Sequence, residues 1–374
     1  MSLAFLIGPL AIGGIAAVLA GIISVVDSIV NNYGECKIDI NSGQKSLTVT
    51  GGSSLLQLLA QERIFVPSAC GGRGSCGVCK VRVLSDVGPI LPTELPYLEE
   101  EERENGTRLS CQIKVKDDMD IEIPEELFNI KEIRGVVEEI NDMTHDIKEV
   151  RVKLLDPPQL EFKAGQYAQL ESKPYGKIKE PAQRAYSMSS PPHDRDHLEF
   201  YVRLVPGGIV TTWTFEELQE GEKIRLIAPI GDFHMRDTDA LKVMIAGGSG
   251  MAPIKSIVLD MWERGDTDKP VWFFFGARTR KDLFYTEKLK ELESKWENFH
   301  FIEALSEPTP EDKWDGEVGL ITDVLDRYFK GEMNTNGKPM EGYLCGSPGM
   351  IDACIAVMTK NGIPEDKIYY DKFA

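Results

Sequence analysis

The sequence predicts a multidomain chain: an N-terminal transmembrane helix, a small α+β domain of the β-grasp type, an antiparallel β-barrel and a doubly wound α/β domain. Three observations carry this reading. The stretch Leu3–Val26 holds no charged residue. Four cysteines, Cys70, Cys76, Cys79 and Cys111, fall in one glycine-rich loop and one later segment. After Thr238 the rhythm changes from short alternating strands to repeated strand, glycine turn and helix. The boundaries are placed at 1–30, 34–128, 130–237 and 238–374. A chain of 374 residues has room for about two to three cores. Its net charge of −18 argues against nucleic acid as a partner, because phosphate binding needs clustered Lys and Arg.

Leu3–Val26 is rich in Leu, Ile, Val, Ala and Gly, and it is long enough to cross the hydrocarbon layer as a helix. A secretory signal would open on basic residues and offer a cleavage site, whereas no Lys or Arg precedes this stretch. The expectation is a retained single span rather than a cleaved signal or a buried core helix. Lys and Arg are too scarce on both flanks to set its orientation.

Beyond it, Cys36–Ile40 and Leu47–Val49 alternate around the turn Asn41-Ser-Gly43, the pattern of a β-hairpin. Ser53 or Ser54 caps a helix over Leu55–Gln61. The cysteine loop follows, then a strand over Val78–Leu84, a turn at Gly88-Pro89, the acidic helix Glu99–Glu104 and a strand over Arg108–Val115 that carries Cys111. The spacing C-x5-C-x2-C with a distant fourth cysteine is close to that of plant-type 2Fe-2S centres. Glycines at 71, 72, 74 and 77 suit a loop that needs positive φ and backbone N–H groups aimed at sulfur. A structural zinc site would show two paired knuckles, and only one C-x2-C is present. Disulfides are disfavoured in a reducing compartment. The domain thus reads as a β-grasp, ferredoxin-like unit with Cys70, Cys76, Cys79 and Cys111 as metal ligands. The run Glu99–Glu104 reads as a solvated helix face, with docking of a basic electron partner as the alternative.

Strands over Ile133–Ile140, Ile147–Leu154 and the segment Phe162–Leu170 open the barrel. In Arg184-Ala-Tyr-Ser, alternation places Arg184 and Tyr186 on one face and Ser187 on the other. Arg184 can grip a phosphate, Tyr186 can stack on an aromatic ring, and Ser187 can approach a ring edge. Strand Glu199–Val205 runs into Pro206-Gly-Gly-Ile-Val-Thr-Thr212, and Trp213–Leu218 reads as helical. Glycine backbone and threonine hydroxyls opening a helix suit a pyrophosphate. Together the two segments form a flavin signature, and Ile224–Pro229 and Gly231-Asp-Phe233 complete the barrel.

In the last domain the strand Lys242–Ala246 enters Gly247-Gly-Ser-Gly-Met-Ala-Pro253 and a helix over Ile254–Arg264. Strands at Val271–Phe275, Phe301–Leu305 and Gly342–Leu344 follow, the last ending at Cys345-Gly-Ser-Pro-Gly-Met350. Such alternation gives a parallel sheet with its site at the strand carboxyl ends.

On these residues the barrel and sheet resemble the ferredoxin-NADP reductase superfamily. The whole chain resembles the family of F subunits of Na(+)-translocating NADH:quinone oxidoreductases. The resemblance extends to Ile90-Leu-Pro-Thr-Glu-Leu95, Gly276-Ala-Arg278, Pro310-Glu-Asp-Lys-Trp314 and Tyr370-Asp-Lys-Phe373. The stretch between Tyr167 and Arg184 is shorter than that family usually shows. The resemblance implies an electron-input component passing electrons from NADH to FAD, to the 2Fe-2S cluster, and on to other membrane subunits and finally quinone. It places Arg184, Tyr186 and Ser187 at the flavin, with Gly208, Val210, Thr211 and Thr212 at its pyrophosphate. Gly248, Gly250, Met251, Cys345, Gly346 and Met350 would approach the nicotinamide nucleotide. Phe373 would shield the flavin face, so that Cys345, Phe373 and Ser187 are the catalytic candidates. Cys345 reads equally well as a small core residue. The uncharged stretch implies a single-pass protein of the inner membrane, and because a nicotinamide-using domain belongs in the cytoplasm, the redox domains are placed there.

His145, His193, His197, His234 and His300 show no paired ligand spacing and receive no catalytic role. Asp371 and Glu303 form no convincing acid/base pair and read as surface charge, with a place near the flavin as the alternative. Arg278, Arg280 and Lys281 follow the second sheet strand, where a 2′-phosphate would sit, so residues alone leave NADH and NADPH both open. Two other readings remain: a reductase component for an oxygenase or a corrinoid-activating system, and a tethered electron carrier with an inactive reductase half.

Overall fold

The computed structural model describes residues 13–22, 33–68, 70–331, 333 and 337–372. The chain divides into two compact units, Met1–Asn129 and Ile130–Ala374. Helix α1 covers residues 13–22. Among the described residues no helix is long and apolar enough to cross a membrane. The remainder of the expected anchor, residues 1–12 and 23–30, lies outside the described residues, as does Phe373.

In the first unit, β1 (Glu35–Ile40) and β2 (Lys45–Thr50) form the expected hairpin, turned by Asn41, Ser42 and Gly43 at positive φ. Helix α2 (Leu55–Gln61) starts on a capping box in which Ser54 and Gln57 satisfy each other's backbone N–H. It buries Leu55, Leu58 and Leu59 against Ile38, Val81, Leu109 and Ile121. Strand β3 (Lys80–Val83), helix α3 (Glu100–Glu104), β4 (Thr107–Leu109) and β5 (Met119–Glu122) complete a sheet of order β2-β1-β5-β3-β4. The pairing of β1 with β5 is parallel, which makes this a β-grasp sheet. One expectation is corrected: the strand through Arg108–Val115 stops at Leu109, and Cys111 lies in the turn beyond it. There the Ser110 N–H donates to Cys79 O, so the backbone folds toward the cysteine loop instead of continuing a ladder.

The second unit begins with β6 (Lys131–Asp142), β7 (Ile147–Asp156), β8 (Tyr167–Glu171), β9 (Gln183–Ser187), β10 (His197–Arg203), α4 (Ile209–Glu216) and β11 (Lys223–Ile230). The order β10-β7-β6-β11-β8-β9 is antiparallel, and a bridge from Met188 to Phe200 closes it into a barrel. Val210 and Trp213 of α4 join Ile133, Val150, Phe200 and Leu226 in the barrel core. That helix starts at Ile209 rather than Trp213, with Gly208 as N-cap. The β-branched run read as a loop is therefore the first helical turn, held because its apolar side is buried.

The sheet domain contains β12 (Leu241–Gly247), α5 (Met251–Arg264), β13 (Val271–Ala277), α6 (Thr286–Lys295), β14 (Phe299–Leu305), β15 (Glu317–Val318), α7 (Ile321–Lys330), β16 (Met340–Gly346), α8 (Pro348–Lys360) and β17 (Ile368–Lys372). All its pairings are parallel, in the order β15-β14-β13-β12-β16-β17. Phe273 and Phe275 pack with α5 and α6, while Phe274, between them, packs with α7 and α8. Burial on both faces is what a parallel sheet requires, and each such ring contributes roughly 2–3 kcal/mol. The strand order reverses between β12 and β16, so a crevice opens at their carboxyl ends.

Barrel and sheet domains are clamped together by consecutive residues of α5. Lys255, 3% exposed, donates from Nζ to Glu199 Oε2 at 2.9 Å and to the Tyr201 hydroxyl at 3.0 Å. Ser256 Oγ donates to Ser190 O at 2.7 Å, also buried.

Candidate cluster loop and active site

The cysteine loop has the backbone its glycines predict: φ is +69° at Gly71, +83° at Gly72, +72° at Gly74 and +68° at Gly77. Cys76 Sγ lies 3.3 Å from Cys70 Sγ. The thiols of Cys79 and Cys111 are hydrogen-bonded to one another. The N–H of Gly74, in the loop between Cys70 and Cys76, points at Cys111 and ties the late cysteine to the others. Burial pushes the Cys70 thiol up, but the N–H groups of Ser75 and Arg73 and the Cys76 thiol outweigh it and bring it down to about 6. The Cys79 thiol and the Gln112 amide likewise bring Cys111 down to about 6. Among the described residues every cysteine is free of disulfides. Two thiol pairs, Cys70 with Cys76 and Cys79 with Cys111, linked through the Gly74 N–H, fit the donor set of a thiolate-held cluster.

Beneath Cys111 lies an ion pair that residue patterns do not reveal. Arg108 donates Nε and Nη2 to Glu94 at 3.0 and 2.7 Å, with both side chains buried. Glu94 also accepts from the N–H of Leu91 and of Leu109, and Arg108 reaches the carbonyls of Gly88 and Pro89. The pair pins the 88–95 segment to β4.

On the barrel, Arg184 and Tyr186 share one face of β9. Ser187 is buried, and its Oγ lies 3.4 Å from Asp371 Oδ2 on β17. Met188 enters the barrel core. Ser189 has a buried Oγ without a hydrogen-bond partner among the described residues. The predicted pyrophosphate set divides. Val210 is a core side chain. The Thr211 hydroxyl is engaged with the backbone of Val205 and Gly208. What remains for an anion is the N-terminal backbone of α4 and the partly exposed Thr212.

At the crevice, a cavity of about 370 Å³ is lined by Gly247, Gly248, Gly276, Arg278, Ser306, Ser347 and Met350 of the sheet domain. His145, Asp146 and Arg203 of the barrel complete its wall. Of the expected nucleotide contacts, Gly248 and Met350 line it, whereas Gly250, Met251 and Cys345 stand behind it in the core. A Cβ on Gly250 would collide with Cys345 O, so this glycine serves the close approach of α5 to β16. The Cys345 thiol is fully buried beside Met251 and Tyr343 in one apolar cluster, and burial followed by the nearby Asp371 charge drives it far above the usual thiol range. By register Cys345 pairs with Asp371, and Gly346 with Lys372. Sequence reasoning missed the barrel contribution. His145 Nδ1 stands 3.6 Å from Asp282 Oδ1, and Arg203 Nε donates to Asp146 at 2.8 Å, contacts set by long-range packing alone. His197, also without predicted ligands, sits among Asp194, Asp196 and Glu138, with Arg151 already paired to that cluster.

A cysteine-lined β-grasp loop, a closed barrel and a doubly wound sheet with a nucleotide-sized crevice define an iron–sulfur flavin reductase. Family models agree: a 2Fe-2S iron-sulfur cluster binding domain at 38–116, an oxidoreductase FAD-binding domain at 134–235 and an oxidoreductase NAD-binding domain at 244–355. The F subunit of the Na(+)-translocating NADH-quinone reductase of Neisseria meningitidis is 36% identical, over 96% of each chain. That of Mannheimia succiniciproducens is 36% identical over 99% of this chain and 98% of its own. The chain belongs to the family of F subunits of Na(+)-translocating NADH-quinone reductases. Among solved structures, an Amycolatopsis cytochrome P450 reductase, GcoB, matches with a TM-score of 0.71 and 27% identity over 90% of this chain and 98% of its own. The ferredoxin reductase in carbazole 1,9a-dioxygenase matches at 0.67 and 28%, over 91% and 99%.

Proposed function

We propose that this chain is the electron-input component of a Na(+)-pumping NADH:quinone oxidoreductase, drawing electrons from NADH at the crevice and delivering them at the cysteine loop. The observation that carries the reading is the meeting of Ser187 with Asp371 at the open end of the sheet, beside the crevice by register. Bound FAD and the 2Fe-2S cluster supply the step from a paired-electron donor to single-electron output.

The residues here bind, orient and exclude water. Arg184 and the N-terminus of α4 would hold the flavin phosphates, and Tyr186 would offer its ring to the flavin. Ser187 presents its hydroxyl to the ring edge. Gly247 and Gly248 would let a dinucleotide approach β12, and Met350 and Ser347 line the same cavity. Cys345 shapes the wall behind the nicotinamide. Cys70, Cys76, Cys79 and Cys111 hold the cluster. Residues 3–26 anchor the chain in the inner membrane, the redox domains face the cytoplasm, and other redox subunits of the complex receive the electrons for quinone.

The test is anaerobic stopped-flow mixing of the purified holoprotein with NADH. Flavin absorbance should bleach first and the cluster signal follow, a sequence that excludes a carrier with an inactive reductase half. A flavin that stays oxidised would overturn the reading. The match over nearly the whole length to relatives from Na(+)-translocating reductases favours this role over that of an oxygenase reductase component. Recovery of the chain with detergent-solubilised membranes, lost on deletion of residues 1–30, tests the anchor.

A further inference from the structure

The three cations that leave the donor open in the sequence are compensated in the structure. Arg278 donates Nη2 to Glu307 Oε2 at 2.8 Å and turns Nε toward Oε1 at 3.4 Å. Arg280 is turned away, its Nη1 on the Asp312 carbonyl at 2.9 Å. Asp282 stands in the cavity wall near Arg278, and the Asp312 carboxylate feels the charge of Lys281. Arg278 is thus faced by two carboxylates and Lys281 by one, while Arg280 is engaged by a backbone carbonyl.

The place of this cluster is fixed by topology. Nicotinamide must lie toward the β12/β16 end, where Ser187 and Asp371 bring barrel and sheet together. The cavity extends from there past Gly276 and Arg278 at the end of β13 to Ser306 after β14, so the adenosine half occupies the Arg278–Ser306 end. In doubly wound sheets that end recognises the ribose 2′ position: an acidic residue for a hydroxyl, a free arginine for a phosphate.

We infer that Glu307 is the residue that selects NADH over NADPH, by occupying the Arg278 guanidinium that would otherwise bind a 2′-phosphate. A phosphate carrying about two negative charges meets a carboxylate at this position and must displace it from the Arg278 guanidinium. The inference rests on the reading of the cavity as the dinucleotide site.

The test is equilibrium titration of the full-length holoprotein with ADP-ribose and 2′-phospho-ADP-ribose, in wild type, Glu307→Gln and Glu307→Gln/Arg278→Gln. Glu307→Gln should shift the ratio of the two dissociation constants roughly tenfold toward the phosphorylated nucleotide. The double variant should lose that gain. Stopped-flow flavin reduction by NADH and NADPH should show the same change in preference. Glu307 is exposed, so thermal unfolding should match wild type. If ADP-ribose binds all three proteins with an unchanged ratio, Glu307 is not the selector and the cavity reading stands. If ADP-ribose fails to bind wild type, the cavity reading falls and this inference with it.

Discussion

Ser187 Oγ, on barrel strand β9, lies 3.4 Å from Asp371 Oδ2, on sheet strand β17, and this contact joins the two halves of the reductase unit at their shared site. Burial pushes the Asp371 carboxyl above the usual range, and the Ser187 hydroxyl only partly draws it back. A carboxyl raised in the folded state contributes stability below its unfolded pKa and loses it as pH rises through the folded value. Wild type should therefore lose thermal stability across that rise relative to Asp371→Asn. Melting curves at closely spaced pH values give the difference, and parallel curves would refute it.

Glu94 behaves oppositely. Burial would raise it, but Arg108 and the N–H groups of Leu91 and Leu109 hold it below the usual carboxylate range. Its contribution is present above the unfolded pKa and is lost as pH falls through the folded one. Glu94→Ala strands a buried guanidinium and should cost about 3–5 kcal/mol in the cluster domain. Urea unfolding followed by loss of visible absorption is the measurement.

At Gly77 a Cβ would come within 2.6 Å of the Tyr97 ring, at a φ of +68°. Gly71 has a similar φ but open space around it. Gly77→Ala should lower iron and acid-labile sulfide per chain and cost about 1–3 kcal/mol. Gly71→Ala should show the smaller loss, and equal losses would mean that the ring contact is immaterial.

Lys255→Met removes the cation from beneath Glu199 and Tyr201. Because Arg151 still pairs with Glu199, the expected cost is about 1–3 kcal/mol for the reductase unit, with the cluster spectrum unaltered. Denaturation followed by flavin fluorescence reports the first part, and visible circular dichroism the second.

Cys345 should resist iodoacetamide at pH 8 in the native protein, because its thiol is buried and held protonated. Mass spectrometry of peptides spanning residue 345 reads this directly, and rapid labelling would reinstate it as a reactive group.

Much of this architecture is legible in the residues, for reasons that are local. Cys70, Cys76 and Cys79 declare themselves by spacing, the hairpin at Asn41–Gly43 by its turn, and β12 by an apolar run into glycines. Strand β5 escapes notice because Met119-Asp-Ile-Glu122 is short and acidic, and its partner β1 lies far upstream. Helix α4 is obscured by Ile209-Val-Thr-Thr212, poor helix formers that burial of Val210 and Trp213 overrides. At the site, Ser187 follows from strand alternation. Its partner Asp371 is set aside as surface charge because their contact depends on how barrel and sheet dock. His145 and Arg203 enter the crevice by the same route, and Gly250 and Met251 leave it for packing.

The clamp from Lys255 and Ser256 to Glu199, Tyr201 and Ser190 has a kinetic consequence. Parting barrel from sheet would break the buried contacts of Lys255 and Ser256 together, which opposes hinge opening during each catalytic cycle. Substrate entry and product escape must then proceed past side chains at the rim, through a doorway whose frame stays rigid.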